Sequence, residues 1–562
     1  MPDPALLRRE FLANLSALGL TSALLPASLA AQERSRITPE MIELAEQVAG
    51  TELTDGQRRL MQRSLDRNRA GYERLRRIPL PNGVAPAIRF DPAPGVKLPA
   101  PAQSEDPAAT PPTIEMPDDI EELAFYPVRD LAELVRTQAV SARELTEMYL
   151  SRLKFYDKSL KCVITMLEDQ ALAAADHADE EIEAGHYRGP LHGIPWGAKD
   201  LLHTRGIRTT YGAEPFENQI VDEDATVIER LRDAGAILIA KLSLGALAMG
   251  DVWFGGRTRN PWNTEQGSSG SSAGPAAATA AGLVGFAIGT ETLGSIVSPC
   301  SRCGATGLRP TFGRVSRAGA MALSWTMDKI GPIGRTVEDC ALVLEAIHGA
   351  DPRDPTAADI PFHWNRERRV QELRVGYVKS LFSEERRDKG QAECDRATLE
   401  ALRSLGVDLV PIELPDFPTT EMMIILNAEA AAAFDEITRN GEVDKMVRQE
   451  ADAWPNVFRT SQFIPAVEYI RANRIRTLLM QEMAKATAAV DLFVAPAFAG
   501  PTLGITNLTG HPAVVLPNGF REDSTPMSIT FIGKLYGEAD LLAAAHSYQE
   551  ATDFHRRHPP LD

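Results

Sequence analysis

The sequence predicts an α/β domain with a largely internal sheet flanked by helices, preceded by a small helical extension. Two observations carry this reading. Capped segments of helical periodicity alternate with short apolar runs bounded by turn residues, as in an α/β layer fold. Those runs are apolar along their length, as expected of strands covered on both faces. Composition agrees: 562 residues, 44% hydrophobic and 24% charged, sit near the globular average and exclude wholesale disorder, collagen or a coiled-coil rod. Lys and Arg number 59 against 77 Asp and Glu, a formal charge of −18. No polybasic run occurs, so no nucleic-acid partner is expected, and the acidic surface reads as a solubility feature. Five cysteines, Cys162, Cys300, Cys303, Cys340 and Cys394, make no disulfide framework.

The elements follow in order. Residues 1–30 read as an address. Arg8-Arg9 precedes an uncharged, weakly apolar stretch from Phe11 to Gln32, and Ser28-Leu29-Ala30 offers small residues at a cleavage site. The pattern resembles a twin-arginine export signal, which implies a periplasmic or secreted protein. An ordinary amphipathic first helix is the rival. A retained membrane anchor fits less well, because Pro26 and polar interruptions keep the apolar run below about 18 residues. Residues 31–78 read as a helical extension. Residues 79–118 hold eleven prolines, from Pro79 to Pro117, and form an extended connector.

The main domain is expected over 119–562. Ser141 and Glu144 form a capping box before a helix with Leu145, Met148, Tyr149 and Leu153 on one face. Residues 224–234 read as a helix stopped by Gly235, followed by a strand at 237–240. Thr336 and Asp339 cap a helix running to about His348. Buried strands are expected at 375–378, 409–412, 492–495, 514–516 and 529–532. No internal repeat is present.

One stretch stands apart. Gln266-Gly267-Ser268-Ser269-Gly270-Ser271-Ser272-Ala273-Gly274 crowds hydroxyls and glycines together. An Ala-rich helix, a strand at 284–288 and a second small-residue loop, Gly289-Thr290-Glu291-Thr292-Leu293-Gly294-Ser295-Ile296, follow. Such loops can turn sharply and present N–H groups to an oxyanion; a plain flexible loop is the alternative. No Gly-Lys-Ser/Thr follows, which argues against a phosphate loop.

With Gly197-Ala198-Lys199-Asp200 upstream, these segments resemble the signature of the amidase signature family. Leu191-His192-Gly193-Ile194-Pro195, Asn260-Pro261-Trp262, Gly307-Leu308-Arg309-Pro310-Thr311, Ile330-Gly331-Pro332 and Gly510-His511-Pro512-Ala513 fit the same family, and the match spans about 120–555. The resemblance implies an α/β fold around a mixed sheet and a Ser–cis-Ser–Lys hydrolase. Carried over, Ser295 is the nucleophile, Lys199 the base and Ser271 the bridging serine. The family separates bridge and nucleophile by 24 positions, as Ser271 and Ser295 are separated; Ser268, 27 positions away, is the runner-up. The resemblance also implies a cis peptide at Gly270–Ser271 and an oxyanion hole from the backbone N–H groups of Thr292, Leu293, Gly294 and Ser295. Ser272 and Asp200 are expected to support the site, Asp200 by orienting its loop.

These residue types suit the chemistry. A serine hydroxyl needs a base to become a nucleophile. A free lysine is neutral only about once in 2500 molecules at pH 7, and burial without a fully compensating carboxylate lowers its pKa. The sequence departs from the family at Glu291, Leu293 and Val297, where Asp, Gly and Arg are usual. Leu293 adds a side chain at the oxyanion loop, and Val297 removes a charge. Rival readings are a metal or redox pair at Cys300 and Cys303, and a catalytic histidine at His192, His203 or His511. Trp253, Trp262 and Trp325 are taken as core packing.

The function expected is therefore hydrolysis of a small-molecule carboxamide, without cofactor or metal. Alternatives are the glutamine-hydrolysing subunit of a tRNA-dependent amidotransferase, against which the export signal argues, and a non-catalytic binding protein on the same fold. Acyl and amine specificity and oligomeric state are left open by the sequence.

Overall fold

The computed structural model describes residues 37–49, 55–56, 58–59, 114–383, 389–450, 452–462 and 464–561. The expected export signal at 1–30 and nearly all of the Pro-rich connector lie outside these residues. The chain divides into two compact units, Met1–Pro81 and Asn82–Asp562. In the first, a helix at Pro39–Ala49 opens on a proline, whose missing N–H would lack an intrahelical acceptor anyway. Ile42 and Glu46 are buried, and Arg58 donates to both Glu46 oxygens at 3.0 and 2.9 Å.

In the second unit eleven strands form one sheet. They are β1 (Val163–Met166), β2 (Pro195–Lys199), β3 (Ile237–Leu242), β4 (Phe286–Glu291), β5 (Thr306–Arg309) and β6 (Lys329–Gly334), then β7 (Val375–Val378), β8 (Leu409–Ile412), β9 (Leu492–Pro496), β10 (Ala513–Phe520) and β11 (Pro526–Gly533). In space they run β1-β3-β2-β4-β6-β5-β10-β11-β9-β7-β8. β2 is parallel to β3 and β4, and β7 is parallel to β8 and β9. The other neighbours are antiparallel. The sheet is mixed and most of its strands are buried.

The two strands at 375–378 and 409–412 have the expected bounds, but only the first is buried: β8 lies at the sheet edge, where Pro411 is exposed. β10 and β11 are longer than their apolar runs, because the ladder continues through the Pro517–Ser528 pair and, past a bulge at Asn518, through Gly519–Met527. β4 also runs further than expected: Gly289, Thr290 and Glu291 are strand, paired with β6, rather than loop.

The helices behave similarly. Helix α1 (Ala142–Leu160) carries the full Ser141–Glu144 capping box. Helix α2 (Thr226–Asp233) starts two residues later than expected. Asp224 does not cap it; its carboxylate accepts from Arg205 N at 2.8 Å and pairs with Arg232 at 2.8 Å. Gly235, at φ +80°, follows the helix in the left-handed region that glycine tolerates. Helix α3 (Ala273–Ala280) is buried along all eight residues, so only small side chains fit. A Cβ on Gly274 would fall 2.5 Å from both Cys162 O and Ser243 N. Helices α4 (Val297–Cys303) and α5 (Val337–Ile347, with the Thr336–Asp339 box) complete the centre. The motif-free stretch after 415 contributes α6 (Ile424–Ala433) and α7 (Ala466–Ala486). Among the described residues no helix is long and apolar enough to cross a membrane.

Candidate active site

The site forms where parallel strands β2 and β4 end, a position at which α/β sheets commonly place ligands. Lys199 is the last residue of β2 and is fully buried. Its Nζ lies 2.8 Å from Ser271 Oγ, 3.0 Å from Ser272 Oγ and 2.9 Å from Thr290 Oγ1, with Thr290 O at 3.4 Å. Four uncharged oxygens surround the amine, and no carboxylate pairs with it among the described residues. Burial therefore pushes the Lys199 amine well below the ordinary lysine range, while Asp328 and Glu291 pull it partly back.

Ser271 is delivered by a clamped loop. Ser269 Oγ shares a 2.7 Å hydrogen bond with Ser298 Oγ, and Ser269 N donates to Asp251. A Cβ on Gly270 would stand 1.8 Å from Gly250 O, so no larger residue fits. The Gly270–Ser271 peptide is cis, as the resemblance implies. Ser272 then ties two loops together. Its N donates to Ser295 O at 3.0 Å, and its Oγ both donates to Thr290 O and accepts from Thr290 N, each at 3.1 Å. Ser268 faces elsewhere: its hydroxyl donates to Ser269 O at 2.9 Å and its N to Thr258 O. The structure thus places Ser271, not Ser268, on the amine of Lys199.

The loop after β4 is fixed at both ends. Glu291 is fully buried and accepts from Ile296 N and Val297 N at 2.9 Å each, from Arg309 at 2.7 Å and from Asn507 at 2.8 Å. Burial would raise this carboxyl, but the Arg309 guanidinium and the Val297 N–H outweigh it and bring it down to about 2. Thr292 Oγ1 donates to Asp328 Oδ1 at 2.5 Å. Between these anchors, Gly294 takes φ +85°. The N–H groups of Leu293, Gly294 and Ser295 meet no acceptor among the described residues. Ser295 is held through its backbone, and its hydroxyl is likewise unengaged among the described residues. No hydrogen bond joins Ser295 Oγ to Ser271 among the described residues; catalytic hydrogen bonds of this kind often tighten only when substrate is bound.

Leu293 is half-buried and packs against the hydrophobic core, and the Val297 side chain is buried in it. Asp200 behaves as the expected loop organiser: Oδ2 accepts from Thr210 N at 2.8 Å and from Thr210 Oγ1 at 2.6 Å. Thr290, Asp328 and Lys241 are not singled out by the sequence. Thr290 lies within a quoted motif; the other two have signals only in three dimensions.

The rival residues are otherwise occupied. His192 faces Glu181 at 3.1 Å, His203 bridges Glu223 and Tyr211 at 2.6 Å each, and His511 Nδ1 pairs with Thr509 Oγ1 at 2.7 Å. Cys300 and Cys303 are buried free thiols, pushed up by that burial. Of the three tryptophans read as core packing only Trp253 packs in the core; Trp262, which donates to Cys303 O at 2.8 Å, and Trp325 are half-buried outside it.

Known proteins share this fold. The family model for Amidase matches residues 144–542. The chain is a member of the amidase family. Among curated relatives it resembles a glutamyl-tRNA(Gln) amidotransferase subunit of Geobacter metallireducens, at 34% identity over 77% of this chain and 99% of the relative. The protein of that name from Acinetobacter baumannii is 35% identical over 76% of this chain and 96% of its own length. Among solved structures, the peptide amidase of Stenotrophomonas maltophilia superposes with a TM-score of 0.69 at 29% identity, covering 79% of this chain and 99% of that one. Membership makes the chain an amide hydrolase, acting on carbon–nitrogen bonds other than peptide bonds.

Proposed function

We propose that the chain cleaves a carboxamide through an acyl-enzyme on Ser295, with Ser271 as proton bridge and Lys199 as base. The buried Lys199 amine, 2.8 Å from Ser271 Oγ and ringed by uncharged oxygens, carries this reading. Neutral Lys199 takes the Ser271 proton as Ser271 takes that of Ser295, and Ser295 Oγ bonds to the carbonyl carbon. The oxyanion meets the N–H groups of the loop from Thr292 to Ser295, where one donor is worth about 3–4 kcal/mol. The proton returns through Ser271 to the nitrogen, the C–N bond breaks, and water then hydrolyses the ester. A serine-directed fluorophosphonate should label the protein, and Ser295→Ala should abolish the label. Folded protein that resists labelling would instead support a binding role.

A second reading is favoured by the curated relatives. Glutamyl-tRNA(Gln) amidotransferase subunits match along nearly their whole lengths at 34–35% identity, against 29% for the solved peptide amidase. Under it, the carboxamide is that of glutamine and the partners include further subunits and a charged tRNA. Ammonia released from glutamine only when such subunits are added would select this reading; turnover of simple amides by the chain alone would select the first. Export by a twin-arginine route belongs to the first reading and rests on residues 1–30. Detection of the full-length chain in a periplasmic or secreted fraction tests it.

A further inference from the structure

A second lysine lies just behind the first. Lys241, on β3, is fully buried. The register pairs Ala198 with Lys241 and Lys199 with Leu242. Side chains alternate along a strand, so Lys199 projects to one face of the sheet, while Lys241 and the residue after Lys199, Asp200, project to the other. There Lys241 Nζ stands 3.1 Å from Asp200 Oδ1, an ion pair rather than an aligned hydrogen bond. It donates to Leu202 O at 2.8 Å and Thr209 Oγ1 at 2.9 Å. The other Asp200 oxygen is held by Thr210. Both partners of the pair are fully buried.

We propose that Lys241 is a positioning residue that neutralises Asp200 at the back of the sheet, so that the carboxylate adjacent in the chain does not hold the Lys199 amine protonated. The proposal rests on Lys199 acting as the base. Its logic is electrostatic. A bare carboxylate one residue from a buried amine, in a site that excludes water, favours the ammonium form, which is useless as a base. An ion pair reduces that field to a dipole. The chain keeps Asp200 because its carboxylate organises the turn through Thr210, and Lys241 removes the electrostatic consequence.

Other charged groups face these residues. Asp328 and Glu291 act on Lys199, and Glu291 is itself bound to Arg309. Asp224 acts on Lys241, and His203, with Glu223 beside it, faces the pair. Burial pushes His203 below its ordinary value.

The experiment is the pH dependence of kcat/KM for a simple amide, or of fluorophosphonate labelling, in three variants of the full chain. Lys241→Met leaves Asp200 unpaired and should move the acid limb up by about one pH unit. Asp200→Asn leaves Lys241 unpaired and should move it down by a similar amount. The double variant should return it to the wild-type position, whatever its absolute rate. A purely structural role would lower rates in all three without opposite displacements. If either single variant fails to fold, the direction of the other decides. An acid limb unmoved in every folded variant, with the wild-type limb intact, overturns the positioning role alone. A wild-type enzyme without an acid limb overturns the assignment of Lys199 as base, and this proposal with it.

Discussion

Glu291 Oε1 accepts from Arg309 Nη1 at 2.7 Å with both side chains essentially excluded from solvent. The other Glu291 oxygen takes the N–H groups of Ile296 and Val297, so one carboxylate fixes the exit of the loop that carries Ser295. Removing it would leave a buried guanidinium without its counter-charge and two N–H groups unsatisfied. Glu291→Ala is therefore expected to cost about 3–5 kcal/mol of stability, read as a lowered denaturation midpoint, and to depress labelling of Ser295. The pH sign follows from the depressed carboxyl. Its stabilising contribution is present above about 4.5, the ordinary glutamate value, and fades as pH falls towards about 2. Glu291→Ala should therefore flatten acid unfolding across that window.

Ser271 and Ser268 separate cleanly by position. Of the two, only Ser271 reaches the Lys199 amine, whereas the Ser268 hydroxyl closes on the neighbouring carbonyl. Ser271→Ala is expected to lower kcat by about 10²–10⁴-fold, the range of a general acid–base contribution. Ser268→Ala should stay within a few-fold of wild type. Comparable losses in both, or a near-normal Ser271→Ala enzyme, would rule out Ser271 as the bridge.

Much of this is legible from the chain, for physical reasons that also mark the boundary. Capping boxes at Ser141 and Thr336 are local hydrogen-bond patterns and appear intact. β7 and β8 end where their apolar runs end, but β8 closes the edge of the sheet and leaves Pro411 exposed. β4 reads too short from sequence because Gly289-Thr290-Glu291 looks like loop chemistry, yet its backbone is paired with β6. Asp224 looks like a cap but answers to Arg205 and Arg232 instead. Lys199, Ser271 and Ser295 sit in recognisable motifs. Asp328 and Lys241 do not, because their roles depend on strand register and on loops folded from distant parts of the chain.

For Lys199 the sign of the pH effect is fixed by burial. The amine is held well below its ordinary value of 10.5, so the folded chain binds fewer protons here than the unfolded chain. The stabilising contribution is therefore complete above 10.5 and is lost as pH falls from there towards the depressed folded value. Activity should rise across about pH 6 to 9 as the neutral amine accumulates. Lys199→Ala should lose most turnover while remaining folded, and its stability should change less with pH over that range than that of wild type. A wild-type rate that falls over the same range in stable protein would exclude a lysine base.

The helices with no readable motif are joined to the loop of Thr292 through one buried carboxylate. Glu429, on α6, accepts from Ser324 Oγ at 2.6 Å, Thr326 N at 3.1 Å, Thr326 Oγ1 at 2.8 Å and, from α7, Tyr469 OH at 2.8 Å. Arg476, also on α7, donates to Thr326 Oγ1 and O at 2.8 Å each. The same turn runs on to Asp328, whose Oδ2 accepts from Leu323 N and Ser324 N and whose Oδ1 holds Thr292. A disturbance at Glu429 thus reaches the loop of Thr292 through Ser324 and Asp328 in a few rigid contacts. Tyr469→Phe removes one hydrogen bond to a charged acceptor and should cost about 1.5–3 kcal/mol with little change in rate. Glu429→Ala strips four donors of their acceptor and removes the carboxylate that acts on the buried Arg476, so it should cost more stability. It should also lower kcat more than it raises KM, because the N–H groups proposed to hold the oxyanion would act chiefly in the transition state. Measured kcat and KM in both variants, set against their unfolding midpoints, decide whether this latch serves the chemistry or only the packing of α6 and α7.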